Sequence, residues 1–267
     1  MRANPWFTIL AAASFVAVAA VPVAWAPAAA APAIETVRMG GEYPVAVVNI
    51  PVDDPKTKSV AAALFEPEGA GPFPAVIILS GCAGVGPDAG IVRRVNADYL
   101  QKGIATLVLD SLTPRGIARV CDASDIQVVK YRAEDAYAAM TWLSGRSEIV
   151  SKHIFLQGYS HGAMAAIHAI DAQRHVTHQQ NFAGVIAFYP YCFQGTEFSV
   201  PTIILIGALD DLTPAEYCQE YRDKNVEVTV YPKAFHAFAT PGIEVYDEEA
   251  TNDTQRRALS FIESLIK

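Results

Sequence analysis

Ile154-Phe-Leu-Gln-Gly-Tyr-Ser-His-Gly-Ala163 is the stretch on which the reading of this chain turns. An apolar run, Ile154 to Leu156, leads into Gly158-Tyr159-Ser160-His161-Gly162, and a helix-like segment, Ala163 to Ile170, follows. A serine on a tight turn between strand and helix must take a strained backbone, and glycines on both sides let neighbouring elements pass closely. Such a turn lifts the hydroxyl out of the sheet and sets it at a helix N-terminus, where developing negative charge is stabilised. The spacing G-x-S-x-G in this context predicts Ser160 as a nucleophile; a purely structural turn is the competing reading.

A serine nucleophile needs a base and a group to orient that base, and the downstream chain offers both. Val200 to Ile206 reads as a buried strand and ends in Gly207-Ala-Leu-Asp210-Asp211. Val226 to Tyr231 alternates as a strand and runs into Pro232-Lys-Ala-Phe-His236-Ala-Phe238. Asp210 and His236 thus sit just past the C-terminal ends of strands, on the rim that carries Ser160, where open α/β sheets build their sites. The order Ser, acid, His fits a hydrolase of this architecture. His236 would take the proton from Ser160 and return it to the leaving group, while Asp210 would fix the imidazole tautomer. Asp211 competes for the acid role, and the run Asp210-Asp-Leu-Thr-Pro214 is also good turn and helix-start chemistry. His236, between Phe235 and Phe238, could instead be a core histidine.

The remaining site candidates follow from the same rim. The backbone N–H of His161 is one expected oxyanion donor. A second is expected from the loop after strand Ala75 to Leu79, Ser80-Gly81-Cys82-Ala83-Gly84: the N–H of Cys82, with Ala83 as the near alternative. Tyr159, Tyr189 and Tyr191 are candidates for the pocket wall, Tyr159 foremost because it adjoins the nucleophile. Asp110 and Asp135 could join the pocket network, although strand-end and helix-surface roles suit them better. His168, His175 and His178 suggest a metal cluster, but a solvated helix end and loop accounts for them better. No metal or organic cofactor is expected.

The blocks around Ser160, Asp210 and His236 together resemble the three catalytic blocks of the dienelactone hydrolase family. The loop Ser80 to Gly84 and the helix segment Arg132-Ala-Glu-Asp-Ala-Tyr-Ala-Ala139 resemble that family as well, and the likeness runs from about residue 40 to the C-terminus. The resemblance implies an α/β-hydrolase fold, a mostly parallel central sheet with helices on both faces, and hydrolysis of an ester or lactone. Two departures separate the chain from enzymes acting on dienelactone itself. Their nucleophile is a cysteine where Ser160 stands here. They also carry an acidic residue in the oxyanion loop and an arginine after the catalytic histidine, where this chain reads Ser80-Gly81-Cys82 and His236-Ala-Phe-Ala-Thr240. Arg115 or Arg119, after strand Ile104 to Asp110, could supply the positive charge for a substrate carboxylate instead. Larger polymer-linked or feruloyl-type esters are an alternative substrate class, and a non-catalytic hydrolase-like binding protein an alternative of another kind.

Export is expected from the N-terminus. After Arg2 no charge occurs until Glu35, and the intervening stretch is apolar and alanine-rich, the pattern of a signal peptide over residues 1–32 cleaved near Ala30 to Ala33. An uncleaved membrane anchor is the competing reading, since the run is long enough to span. Residues 33–267 then form one catalytic domain of ordinary size, periplasmic or secreted, without stable membrane association. The formal net charge is −8, with no basic cluster, which argues against nucleic acid as a partner and leaves a small-molecule ester or lactone. Nothing in the chain addresses oligomeric state.

In an oxidising compartment the four cysteines favour disulfides over a metal site, and no C-x-x-C spacing occurs. Three pairings are possible. In the strand order usual for α/β hydrolases, the strands before Cys82 and Cys121 are neighbours, as are those before Cys192 and Cys218. The resemblance therefore implies Cys82–Cys121 and Cys192–Cys218, each stabilising by roughly 3–4 kcal/mol on the chain-entropy account. Elsewhere the chain alternates strand and helix, the signature of a parallel sheet covered on both faces. Antiparallel strands are expected near Tyr43–Ile50 and Ser59–Phe65, and a helix over Ile91–Lys102. A long helix over Ile126–Leu143 is expected with Val129, Ala136, Met140 and Leu143 inward, then a strand over Phe182–Phe188 and a closing helix over Thr251–Ile266.

Overall fold

A computed structural model describes residues 45–121, 126–173, 180–221 and 224–267. The expected leader over 1–32, and His175 and His178, lie outside the described residues. Among the described residues eight strands form one sheet: β1 (Val45–Pro51), β2 (Ser59–Phe65), β3 (Phe73–Leu79), β4 (Ala105–Asp110), β5 (Ile149–Tyr159), β6 (Val185–Phe188), β7 (Thr202–Gly207) and β8 (Val226–Tyr231). Their spatial order is β1-β2-β4-β3-β5-β6-β7-β8. β1 pairs antiparallel with β2, and β2 with β4; from β4 to β8 every pairing is parallel.

Composition explains which strands lie where. Every residue of β4, β6 and β7 is buried, because helices cover both faces and leave no polar side to alternate. β1 and β8 carry mixed burial and form the two edges. Pro51 ends β1, a place where its missing N–H costs the ladder little.

Among the described residues five α-helices pack on this sheet: α1 (Ala89–Leu100), α2 (Ile126–Ser144), α3 (His161–Ala169), α4 (Ala215–Gln219) and α5 (Glu248–Leu265). α2 and α3 pack together, while α1 and α5 meet elsewhere on the sheet. The Tyr137 hydroxyl donates to the Ala169 carbonyl at 2.7 Å, joining α2 to α3. Arg94 on α1 donates to Tyr246 and to Asn252 on α5. Val129, Ala136, Met140 and Leu143 all point inward from α2, as their spacing predicts. Arg132 lies on the same stripe and is also buried.

The cysteines pair as the expected strand order implies. Cys82–Cys121 links the loop after β3 to the loop after β4, and Cys192–Cys218 links the segment after β6 to α4. With sequence separations of 39 and 26, each bridge removes roughly 3–4 kcal/mol of chain entropy from the unfolded state. Among the described residues no helix is long and apolar enough to cross a membrane, and no group of three or more His, Cys, Asp or Glu side chains is arranged to hold a metal.

Candidate active site

β5 runs straight into α3, and the junction is Ser160, with φ of 50° and ψ of −118°. Positive φ costs a non-glycine residue on the order of 1–3 kcal/mol, and persists where the surroundings over-determine it. Here the Ser160 N–H donates to the Phe188 carbonyl at 2.9 Å, and its own carbonyl accepts from Met164 N–H at 3.0 Å. The flanking glycines are sterically obligatory. A Cβ on Gly158 would overlap the Gly162 carbonyl oxygen, and a Cβ on Gly162 would overlap that of Ser80. The first contact lets the helix fold back on the strand, and the second lets it cross the loop after β3.

Three side chains from three strand ends meet at this turn. Ser160 Oγ lies 2.9 Å from His236 Nε2, and His236 Nδ1 lies 2.8 Å from Asp210 Oδ2. Asp211 is exposed and makes no such contact, so Asp210 is the carboxylate that reaches the imidazole. Asp210 Oδ1 accepts from the N–H groups of Leu212 at 3.1 Å and Thr213 at 2.8 Å, and Oδ2 accepts from Thr213 Oγ1 at 2.7 Å. The turn chemistry of Asp210-Asp-Leu-Thr-Pro214 and the acid role are thus one structure: the turn aims the second oxygen at the imidazole. Thr213 was not singled out from sequence. Its Oγ1 also lies 3.3 Å from His236 Nδ1, and its signal was the Asp-x-x-Thr spacing read only as a turn. Such a chain of groups can move a proton from hydroxyl to imidazole while a carboxylate holds the ring.

Ser160 and His236 open onto a cleft of about 830 Å³. Cys82, His161 and Thr213 line it beside them, and Val120, Val129, Met164, Phe193 and Leu212 supply apolar walls. The Cys82–Cys121 bridge forms part of the wall. Among the described lining residues there is no Lys, Arg, Asp or Glu. A second concavity, about 940 Å³, contains none of the three side chains and is lined by charged groups including Asp54, Arg115 and Asp135.

Several expectations are corrected here. Arg115 is not at the cleft. Its guanidinium pairs with Asp135 at 2.8 Å and with Asp54 at 3.1 Å, so its charge is spent on the fold. Asp135 is buried in that ion pair and does not take the helix-surface role expected of it, nor does it line the cleft. Tyr159 is buried beneath the turn, because the backbone reversal at Ser160 throws only the serine outward. Its hydroxyl accepts from Gln157 Nε2 at 2.7 Å, and its ring packs 4.6 Å from that of Phe188. Tyr189 is also buried, its ring packed edge-on to that of His236 with centroids 5.1 Å apart. Tyr191 is the tyrosine that lines the cleft. Ala83 sits half-buried in the loop after β3 and does not line the cleft. His168 is buried on α3, not solvated at a helix end.

Arg132 and Asp88 were likewise missed. Arg132 Nη1 lies 3.1 Å from His161 Nδ1, and Nη2 donates to the Ser80 carbonyl. The Asp88 carboxylate accepts from the Gly81 N–H. Burial pushes the Arg132 guanidinium down to about 10, against the favourable charges of Asp88, Asp135 and Asp110, so it stays protonated at neutral pH. Burial raises the Asp88 carboxyl, opposed by the Gly81 N–H and Arg132.

Comparison with known proteins places this geometry in context. The sequence model of the dienelactone hydrolase family matches residues 60–266. None of the curated protein sequences matches the chain. Among solved structures, a protein of Klebsiella pneumoniae ascribed to the dienelactone hydrolases superposes with a TM-score of 0.67 at 19% identity, covering 84% of this chain and 99% of its own. A dienelactone-hydrolase-like promiscuous phosphotriesterase from metagenomic libraries gives 0.65 at 19% identity, covering 83% and 98%. EstE1, a thermophilic carboxylesterase from a metagenomic library, gives 0.59 at 15% identity, covering 87% and 94%. At these identities the likeness shows a shared α/β-hydrolase fold.

Proposed function

Since the chain belongs to the dienelactone hydrolase family, we propose that it is an exported serine hydrolase cleaving a carboxylic ester or lactone through an acyl-enzyme on Ser160. The observation that carries this reading is the contact sequence Ser160 Oγ, His236 Nε2, His236 Nδ1, Asp210 Oδ2, with separations of 2.9 and 2.8 Å, at the mouth of a cleft. Neutral His236 accepts the Ser160 proton at Nε2 as Oγ attacks the ester carbonyl. The backbone N–H groups of Cys82 and His161 receive the developing oxyanion. Collapse expels the alcohol, which takes the proton from His236, and leaves the acyl group on Ser160. Water then attacks the acyl carbonyl with the same base assisting, and the acid departs. Asp210 keeps the ring in the tautomer whose Nε2 is an acceptor.

The walls favour a neutral acyl group. A substrate carboxylate in this cleft would lose water and gain no cation from the described lining, at a cost of several kcal/mol. Tyr191 at the cleft, with its ring 5.3 Å from Phe193 and 6.0 Å from Tyr217, supports aryl or feruloyl-type esters as a second reading of the substrate. Two disulfides fit an oxidising compartment, in line with a leader over 1–32 followed by one catalytic domain over 33–267.

A fluorophosphonate probe tests the assignment. The folded protein is expected to take up one label, on the peptide carrying Ser160. Absence of labelling would leave a hydrolase-like binding protein as the better description.

A further inference from the structure

An arginine that is 1% exposed on the apolar stripe of a helix calls for a reason. Hydrophobic residues of similar volume are often neutral or stabilising at such positions, so a buried cation is weak evidence for stability alone. What Arg132 touches supplies the reason. The carbonyl of Ser80 and the N–H of Gly81 belong to a single peptide group. Arg132 Nη2 donates to the carbonyl end, and Asp88 accepts from the N–H end. A cation and an anion thus hold one peptide unit from opposite sides. The next peptide N–H along the chain is that of Cys82. The same guanidinium reaches His161 Nδ1 at 3.1 Å, on the residue whose backbone N–H is the other expected oxyanion donor.

From this arrangement we infer that Arg132 and Asp88 form a clamp that positions the oxyanion hole, setting the direction of the Cys82 N–H and its register against the His161 N–H. Both are positioning residues: neither lines the cleft, and each acts through the backbone it holds. The inference rests on Ser160 being the nucleophile. Because the two N–H groups bear on charge that exists only after attack, the clamp acts on the transition state more than on bound substrate. A buried arginine that served only packing would show its loss in folding, with turnover per folded molecule intact.

The test is a series of Arg132→Lys, Arg132→Met and Asp88→Asn, assayed on 4-nitrophenyl butyrate and with a trifluoromethyl ketone inhibitor, whose adduct with Ser160 carries an oxyanion. Removing one oxyanion donor outright typically costs about 10²–10³ in kcat. Misaiming is expected to cost less, roughly 10–100-fold in kcat for Arg132→Met, with KM changed by less than about threefold. Arg132→Lys, which keeps the charge but not the forked donors, is expected to recover part of the loss. Ketone affinity should fall in step with kcat/KM across the series. Arg115→Lys, at the ion-paired arginine away from the cleft, serves as a comparison and should lower thermal stability while leaving kcat unchanged. If Arg132→Met does not fold, Arg132→Lys and Asp88→Asn carry the test. Variants that lose stability but retain wild-type kcat and ketone affinity overturn the clamp and leave the hydrolase reading intact. A wild-type protein that neither turns over the ester nor binds the ketone overturns the nucleophile assignment itself.

Discussion

Replacing Ser160 with alanine is expected to lower kcat for 4-nitrophenyl acetate by about 10⁴–10⁶ while leaving the fold in place. The size follows from the covalent route: without Oγ there is no acyl-enzyme, and what remains is solvent attack aided by the oxyanion donors. Stability should change little. The residue at position 160 sits at φ of 50°, which strains alanine as much as serine, and Ser160 Oγ bonds to His236 rather than capping α3. Circular dichroism and thermal unfolding check the fold, and steady-state turnover checks the rate. An alanine variant with wild-type turnover would remove Ser160 from the mechanism.

Asp210→Asn is the substitution with the next largest expected effect, a fall of about 10⁴ in kcat. The carboxylate accepts at both oxygens: from two backbone N–H groups at Oδ1, and from the Thr213 hydroxyl and the imidazole at Oδ2. An asparagine must place its NH₂ at one of these ends. Facing Leu212 and Thr213, it would set donor against two donors that cannot turn away. Facing His236, it conflicts only with the Thr213 hydroxyl, which can rotate toward the Tyr189 carbonyl 3.3 Å away. The amide therefore donates to Nδ1, the ring proton moves to Nε2, and that nitrogen can no longer accept from Ser160. KM should be nearly unchanged, since Asp210 is buried and does not line the cleft. Nitrogen-15 NMR of the His236 ring in the variant would show the exchanged tautomer. An unchanged tautomer with full turnover would count against the orienting role.

The elements most legible from sequence were those governed by local pattern. Fully apolar runs became buried parallel strands, and the stripe Val129, Ala136, Met140, Leu143 became the inner face of α2, because burial and period are properties of short segments. Strand ends could be placed on one rim, which is why the meeting of Ser160, Asp210 and His236 could be anticipated. Long-range pairing was not legible. Arg115 looked available from its position after β4, and only the fold brings Asp54 and Asp135 to it. Tyr159 adjoins Ser160 in sequence, which points it to the wall, yet a backbone reversal separates neighbours in sequence into opposite environments. Arg132 left a trace that could have been read: its spacing from Val129 and Ala136 puts a charge on the buried stripe, and a buried charge asks for a partner.

The central claim is that Ser160 carries the acyl group between two half-reactions. Rapid-quench mass spectrometry during turnover of 4-nitrophenyl acetate tests it most directly. The account predicts one acetyl group on the peptide containing Ser160, appearing with the nitrophenol and lost as acetate is released. Full turnover with no acetylated protein, or with acetyl on another residue, would contradict it.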